Sequence, residues 1–159
     1  MSGVRDAVAA VVDPEIRVIT IEDLGILRDV TVDENGRATI TITPTYSGCP
    51  AMDVIRRDVS VAAAAAGASD VDVRTVLSPA WSTDWISADG RAKLSAAGIA
   101  PPSPVRAAGP IPVSIGVSVR CPRCNSTDTV ELSRFGSTAC KSLRRCRACA
   151  EPFDHIKAF

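Results

Sequence analysis

Aromatic residues make up only 4% of this 159-residue chain, with two Trp, one Tyr and three Phe. Its core must therefore pack Val, Ile, Leu and Ala, and a hydrophobic content of 46% is enough for that. Histidine is nearly missing. His155 is the only one, and alone it completes neither a Ser-His-Asp nor a Cys-His-Asn arrangement. With no Glu-x-x-His pair, the chain cannot build a di-iron carboxylate centre on bundle helices. It also has no glycine fingerprint for a dinucleotide and no P-loop. No apolar run approaches the ~20 residues needed to span a bilayer. The first stretch, MSGVRDAVAAVVDPE, carries acids within its apolar part and lacks a signal-peptide cleavage pattern. These absences argue against di-iron, nucleotide-dependent or triad catalysis and against a membrane location, and a cytoplasmic protein is expected. In that compartment six cysteines point to metal binding or redox chemistry rather than to disulfides.

Net charge is zero, but it is unevenly placed. Residues 1–116 carry 10 Lys and Arg against 14 Asp and Glu, and residues 117–159 carry 8 against 4. Such asymmetry suggests two modules with different surfaces. Between them APPSPVRAAGPIP (100–112), with five prolines and no periodicity, reads as a stiff linker spanning 100–116. The expected organisation is α+β: a small α/β domain over 1–99 with a mainly antiparallel sheet and packed helices, then a β ribbon over 117–159.

Within the first module, Val4, Val8, Val11 and Val12 recur at helical spacing and predict a helix over 3–12, stopped by Asp13-Pro14. Residues 26–33 and 37–44 read as strands. In the second, Ala38, Ile40 and Ile42 alternate with Thr39, Thr41 and Thr43, and Asn35-Gly36 supplies a tight hairpin turn. From Pro50 to Ala66 the period becomes helical, with a stripe of Met52, Ile55, Val59, Ala62 and Ala66 and a stop at Gly67. DVDVRTVL (70–77) returns to alternation. Trp81 and Trp85 follow, then a weak helix over 88–97 ending at Gly98.

The strongest chemical signal is CPRC (121–124), 21 intervening residues, and CRAC (146–149). Two such knuckles let the thiolates of Cys121, Cys124, Cys146 and Cys149 converge on one Zn²⁺ across a β-hairpin, a zinc ribbon. Four cysteines leave no open position, so the zinc would be structural. The competing reading, free thiols or a redox pair, lacks the βαβ pattern of such motifs. Arg120, Arg123, Lys141, Arg144, Arg145 and Arg147 give the ribbon a basic face. It has no interleaved aromatics for base stacking, so a solvated or partner-docking face is favoured over a nucleic-acid site. Cys140 is a fifth thiol there, either a small buried residue or an accessory thiol facing a partner or a transient metal. His155, in the strand-like tail EPFDHIKAF, suits packing or the surface.

Cys49 stands apart, in TPTYSGCP, where strand gives way to helix. Free N–H groups at a helix start stabilise an anion, so a thiol there tends towards a lowered pKa and a nucleophilic or metal-binding role, unless it is simply buried. DPEI (13–16), IEDLGIL (21–27) and TPTYSGCP (43–50) together resemble the metal–sulfur cluster biosynthesis family, which includes SufT-like proteins. PAWSTDWIS, AAGIAPP, CPRCNSTDTVELSRFGSTACK and CRACAEPFDHIK extend the likeness over nearly the whole chain, to the PaaD (PaaJ) family. Its members are accessory components of the multicomponent phenylacetyl-CoA epoxidase system of aerobic phenylacetate degradation.

The resemblance implies that Cys49 is the functional cysteine, with Asp13 and Glu15 of the acidic element close by. It implies a maturation factor, not catalytic alone, that delivers or inserts iron or an iron–sulfur cluster into oxygenase and reductase subunits. A homodimer pairing two Cys49 residues would bridge a cluster. The competing functions are a structural subunit of the epoxidase complex and a nucleic-acid-binding ribbon protein.

Overall fold

The computed structural model describes residues 2–46, 48–103 and 118–158. Their contacts define two compact units, residues 1–90 and 91–159. The division falls between Gly90 and Arg91. Most of the expected linker, residues 104–116, lies outside the described residues.

The first unit starts with helix α1 (Ser2–Ala9), whose Val4 and Val8 are buried. It stops short of the predicted Val12 because the chain is needed for another pairing. Val12 bridges Thr20, the Ile21 amide donates to the Val11 carbonyl, and the Asp13 amide donates to Ile19. Strands β1 (Leu27–Val32) and β2 (Arg37–Ile42) form the antiparallel hairpin. Its turn differs from the tight two-residue form: Gly36 has a positive φ of 79°, while Asn35 does not. The Asp33 carboxylate organises the turn by accepting from the Asn35 and Arg37 amides, both at 2.9 Å. That is the geometry of a longer hairpin loop ending in a left-handed glycine.

Alternation in β2 acts as expected, with Ala38, Ile40 and Ile42 fully buried. Helix α2 (Ala51–Ala65) covers this sheet through Ala51, Ile55, Val59 and Ala63. The stripe is strictly four-spaced: it shares Ile55 and Val59 with the predicted one and takes Ala51 and Ala63 in place of Met52, Ala62 and Ala66. After Gly67, whose φ of 96° ends the helix, β3 (Asp70–Thr75) returns parallel to β2. A helical crossover permits that direction, so the sheet is mixed in the order β1-β2-β3.

Residues 16–26 fill the core through Ile16, Ile19, Ile21, Leu24 and Ile26. The tryptophans hold this segment. Trp81 is buried and its Nε1 donates to the Leu24 carbonyl at 2.9 Å. Trp85, in a 3-10 turn (Thr83–Trp85), lies against Gly25 and stacks under the Arg28 guanidinium at 3.7 Å. Ser87 donates to Asp23 and also accepts from the Gly90 amide, starting α3 (Ala88–Ala96).

In the second unit, β4 (Ile99–Ala100), β5 (Thr129–Ser133), β6 (Lys141–Cys146) and β7 (Pro152–Ile156) form a sheet in the order β4-β7-β6-β5. The β5–β6 hairpin is the expected ribbon. The tail supplies β7, and β4 adds in parallel, pairing Ile99 with Asp154 and Ala100 with His155. A small core of Ala100, Val119, Cys121, Cys146 and Phe153 closes it. Among the described residues, no helix is long and apolar enough to cross a membrane.

Gly25 is the position most sensitive to an added methyl group. Its φ is 72°, and a Cβ would lie 2.6 Å from Trp85 Cβ and 2.9 Å from the Trp85 carbonyl oxygen. Gly25→Ala should destabilise the first unit by about 2–4 kcal/mol in denaturant titration. Gly3→Ala, with nothing within 4 Å of its Cβ, should change stability by less than about 1 kcal/mol.

Candidate functional site

Cys49 is reached from the end of β2. Thr43 continues the strand's pairing, its amide donating to the Ile26 carbonyl at 2.9 Å. The chain then turns, with the Cys49 amide donating to Tyr46 and Gly48 in a left-handed conformation, φ 82°. Pro50 stands at the N-cap of α2 with a helical φ of −67°, and no side chain caps the helix by hydrogen bonding. The Cys49 sulfur partly takes that place, accepting from the Ala51 amide.

The thiol is half-buried, and its pKa is raised, contrary to the expectation from a helix start. Burial is the largest cause. The carboxylates of Glu15 and Asp13 add smaller contributions, and only together with burial do they outweigh the Ala51 amide and the Tyr46 hydroxyl, which both favour the thiolate. The fold thus brings together Cys49, Asp13 and Glu15, more than 30 residues apart in sequence.

Asp13 is buried and also organises its own loop. Its Oδ1 accepts from the Glu15 amide at 2.9 Å and from the Ile16 amide at 2.6 Å. Sequence reasoning missed Thr43, whose Oγ1 is buried and makes no hydrogen bond among the described residues. Its place in an alternating strand disguised it as an ordinary outward threonine.

In the second unit, the sulfurs of Cys121, Cys124, Cys146 and Cys149 all lie within 4.8 Å of one another. Cys121 and Cys149 are 3.8 Å apart, Cys124 and Cys146 3.5 Å. A tetrahedral ion with Zn–S bonds of ~2.3 Å requires sulfurs about 3.8 Å apart, so zinc fits.

The two knuckles repeat one backbone design. Each first cysteine donates its amide five residues ahead, Cys121 to Ser126 and Cys146 to Glu151, both at 2.9 Å. Each second cysteine is followed by a left-handed residue, Asn125 at φ 60° and Ala150 at φ 62°. Its sulfur then accepts the next amide, from Ser126 to Cys124 and from Glu151 to Cys149. Without a cation the sulfurs ionise unequally. Amides of Cys149 and Ala148 help draw Cys146 down to about 7. The Ser126 amide favours the Cys124 thiolate, yet the adjoining thiols and burial push Cys124 up to about 12.

Cys140 does not join this cluster. It is buried at the opposite end of β6, roughly 20 Å along the strand from Cys146, with its sulfur 3.1 Å from Thr138 Oγ1. The basic face is largely neutralised. Arg123 pairs with Glu151, Lys141 with Asp154, Arg144 with Glu131 and Arg147 with Asp128. His155 packs against Ser142, its Nδ1 3.2 Å from the buried hydroxyl.

Comparison with known proteins finds a match for each unit. The PaaD zinc beta ribbon domain matches residues 115–157, and the iron–sulfur cluster assembly protein family matches residues 2–75. An Escherichia coli K12 protein is 47% identical over 91% of this chain and 85% of its own length. The chain belongs to the PaaD family. That relative is named, provisionally, as a component of 1,2-phenylacetyl-CoA epoxidase.

Other relatives of the PaaD-family chain cover its first part. YitW of Bacillus subtilis, an Fe-S protein maturation auxiliary factor, is 39% identical over 54% of this chain and 83% of its own. SufT of Staphylococcus aureus, named likewise, is 37% identical over 48% and 88%. The crystal structure of a DUF59 domain from Bacillus anthracis superposes with a TM-score of 0.54 at 34% identity, covering 58% of this chain and 89% of that one. These proteins match the part of the chain that carries Cys49, and the ribbon with its four clustered cysteines lies in the remainder.

Two outcomes are expected of the ribbon. Cys146→Ser should lower bound zinc from about one per chain to near none and unfold the second unit, since metal binding and folding are coupled. The first unit should remain folded, and full zinc occupancy in the variant would reject the site. The other outcome concerns His155, which burial foremost, and then the Arg144 charge, lower to about 4. The unfolded chain, with a pKa of about 6.5, therefore binds the extra proton first. Stability from this group is complete above pH 6.5 and is lost as pH falls towards 4. Wild type should lose on the order of 1 kcal/mol more than His155→Gln between pH 7 and 5 at saturating zinc, after solvent screening. Parallel denaturation curves at the two pH values would exclude the effect.

Proposed function

We propose that the chain is an accessory maturation factor of a phenylacetyl-CoA 1,2-epoxidase system, working in the cytoplasm during aerobic phenylacetate degradation. It would deliver or insert iron, or an iron–sulfur cluster, into the oxygenase or reductase components, and would oxidise no substrate itself. Membership of the PaaD family and the maturation-factor relatives of the first unit support this reading. The observation that carries it is the Cys49 thiol, held protonated by burial and by the carboxylates of Glu15 and Asp13.

Iron is cargo here. When it meets Cys49 Sγ, the thiol proton leaves to solvent and a metal–thiolate bond forms. The carboxylates that disfavour a bare thiolate favour the incoming cation. Release reverses the exchange: ligands of the recipient take the metal and Cys49 regains its proton. A thiol with a raised pKa yields metal to a stronger ligand set, which suits delivery better than storage. Cys121, Cys124, Cys146 and Cys149 would hold structural zinc, and Cys140 would serve packing.

The half-burial of Cys49 favours one second reading, a structural subunit retained in the complex. Iron and sulfide analysis of the components separates the two. Components produced with Cys49→Ser should contain less than about a tenth of the iron acquired with wild type, while zinc in the variant stays at about one per chain. Components loaded by wild type should keep their activity after the chain is removed. Full iron loading with Cys49→Ser, or activity that returns only on adding back metal-free chain, would reject delivery.

A further inference from the structure

The tip of the β5–β6 hairpin displays two large apolar side chains, Leu132 at 53% exposure and Phe135 at 69%. Single exposed apolar residues are commonplace, but this pair is held outward by the backbone itself. The register of β5 against β6 slips between Glu131 and Ser133, leaving Leu132 as the extra residue of a β-bulge. Bulges redirect side chains away from the ladder. Ser133 then clamps the turn. Its Oγ donates to the Phe135 carbonyl at 2.8 Å and accepts from the Phe135 amide at 3.2 Å.

Beneath the tip lies a buried ion pair. The Lys141 side chain is 6% exposed and its Nζ is 3.5 Å from Asp154 Oδ2, which also accepts from Ser137 Oγ at 3.1 Å. Gly136 closes tightly over it: a Cβ there would come within 2.9 Å of Asp154 Oδ1. Lys157 reaches across from the tail, donating to the Arg134 carbonyl at 3.3 Å with its ammonium 4.8 Å above the Phe135 ring. A rigid knob therefore presents one aromatic, one aliphatic and one guanidinium side chain, with its ordering entropy already spent.

Charge indicates what fits it. The four acids of the described ribbon, Asp128, Glu131, Glu151 and Asp154, pair with Arg147, Arg144, Arg123 and Lys141, and none of these ion pairs includes Arg134. We infer that the Leu132–Arg134–Phe135 knob docks into an apolar socket bordered by carboxylates on a partner protein. Aromatic and Arg side chains on a preorganised tip are the residue types that dominate such interfaces. The proposed function enters only in choosing the partner, an oxygenase or reductase component of the epoxidase.

The test uses the full chain with zinc bound and each purified component, with affinity measured by calorimetry at two salt concentrations. Phe135→Ser and Leu132→Ser/Phe135→Ser should weaken binding to one component by at least about tenfold, with zinc content and circular dichroism unchanged. Arg134→Glu should weaken it further at low salt and lose the salt dependence of wild type. Cys49→Ser should bind that component like wild type, so docking is measured independently of delivery. The inference is overturned if knob variants bind within about twofold of wild type, if no component binds the wild-type chain, or if the variants alter only self-association or retention on DNA. Loss of iron loading in Cys49→Ser alongside unaffected knob variants would overturn docking while leaving the delivery reading in place.

Discussion

A sulfur anion is costly where water is displaced or negative charge lies near, and that constraint bears on both units. At Cys49 burial is the main obstacle, the carboxylates of Glu15 and Asp13 add to it, and the pKa of the thiol is raised. In the ribbon the neighbours are other sulfurs, and Cys124 resists ionisation while Cys146 gives way. A cation resolves either conflict, but to different ends. Four thiolates enclose an ion completely and tie it to folding. One thiol beside two carboxylates offers an incomplete shell, from which an ion can be taken. On the proposed function, sulfur would serve permanence in one unit and exchange in the other.

Holding that incomplete shell open depends on parts of the fold far from Cys49 in sequence. Asp13 is fixed by the amides of Glu15 and Ile16, and its loop is fixed by the Val12–Thr20 bridge. The following segment is secured by Trp81 on the Leu24 carbonyl and by Trp85 against Gly25. In a chain so poor in aromatics, both tryptophans secure the same short stretch, Leu24 and Gly25. Indole is suited to this, since it buries a large area while its N–H satisfies a buried carbonyl.

Much of this is legible in the sequence where the signal is periodic or chemically spaced. The alternation in β2 and the two CxxC knuckles translate directly into structure. Contacts distant in sequence are hidden. The parallel return of β3 follows from the crossover by α2, and strand patterns carry no direction. The rotation of the α2 stripe onto Ala51 and Ala63 reflects what the sheet offers, because alanines suit either face. The turn at Asn35-Gly36 departs from its tight form because Asp33, two residues earlier, captures the amides. The start of α2 does supply the Ala51 amide to Cys49, as its position in the sequence implies. Burial and, to a smaller extent, the two acids act through space and raise the pKa despite that amide.

The pairing of Ile99–Ala100 with β7 has a consequence for how the chain is divided. Ser103 and Ser118, the described residues on either side of 104–117, both belong to the second unit. The passage from one unit to the other runs through α3. A ribbon cut free at residue 118 would keep all four metal ligands yet lose the strand that covers the outer edge of β7. Its unpaired backbone groups would then be open to a neighbouring molecule, inviting edge-to-edge association that the intact chain suppresses.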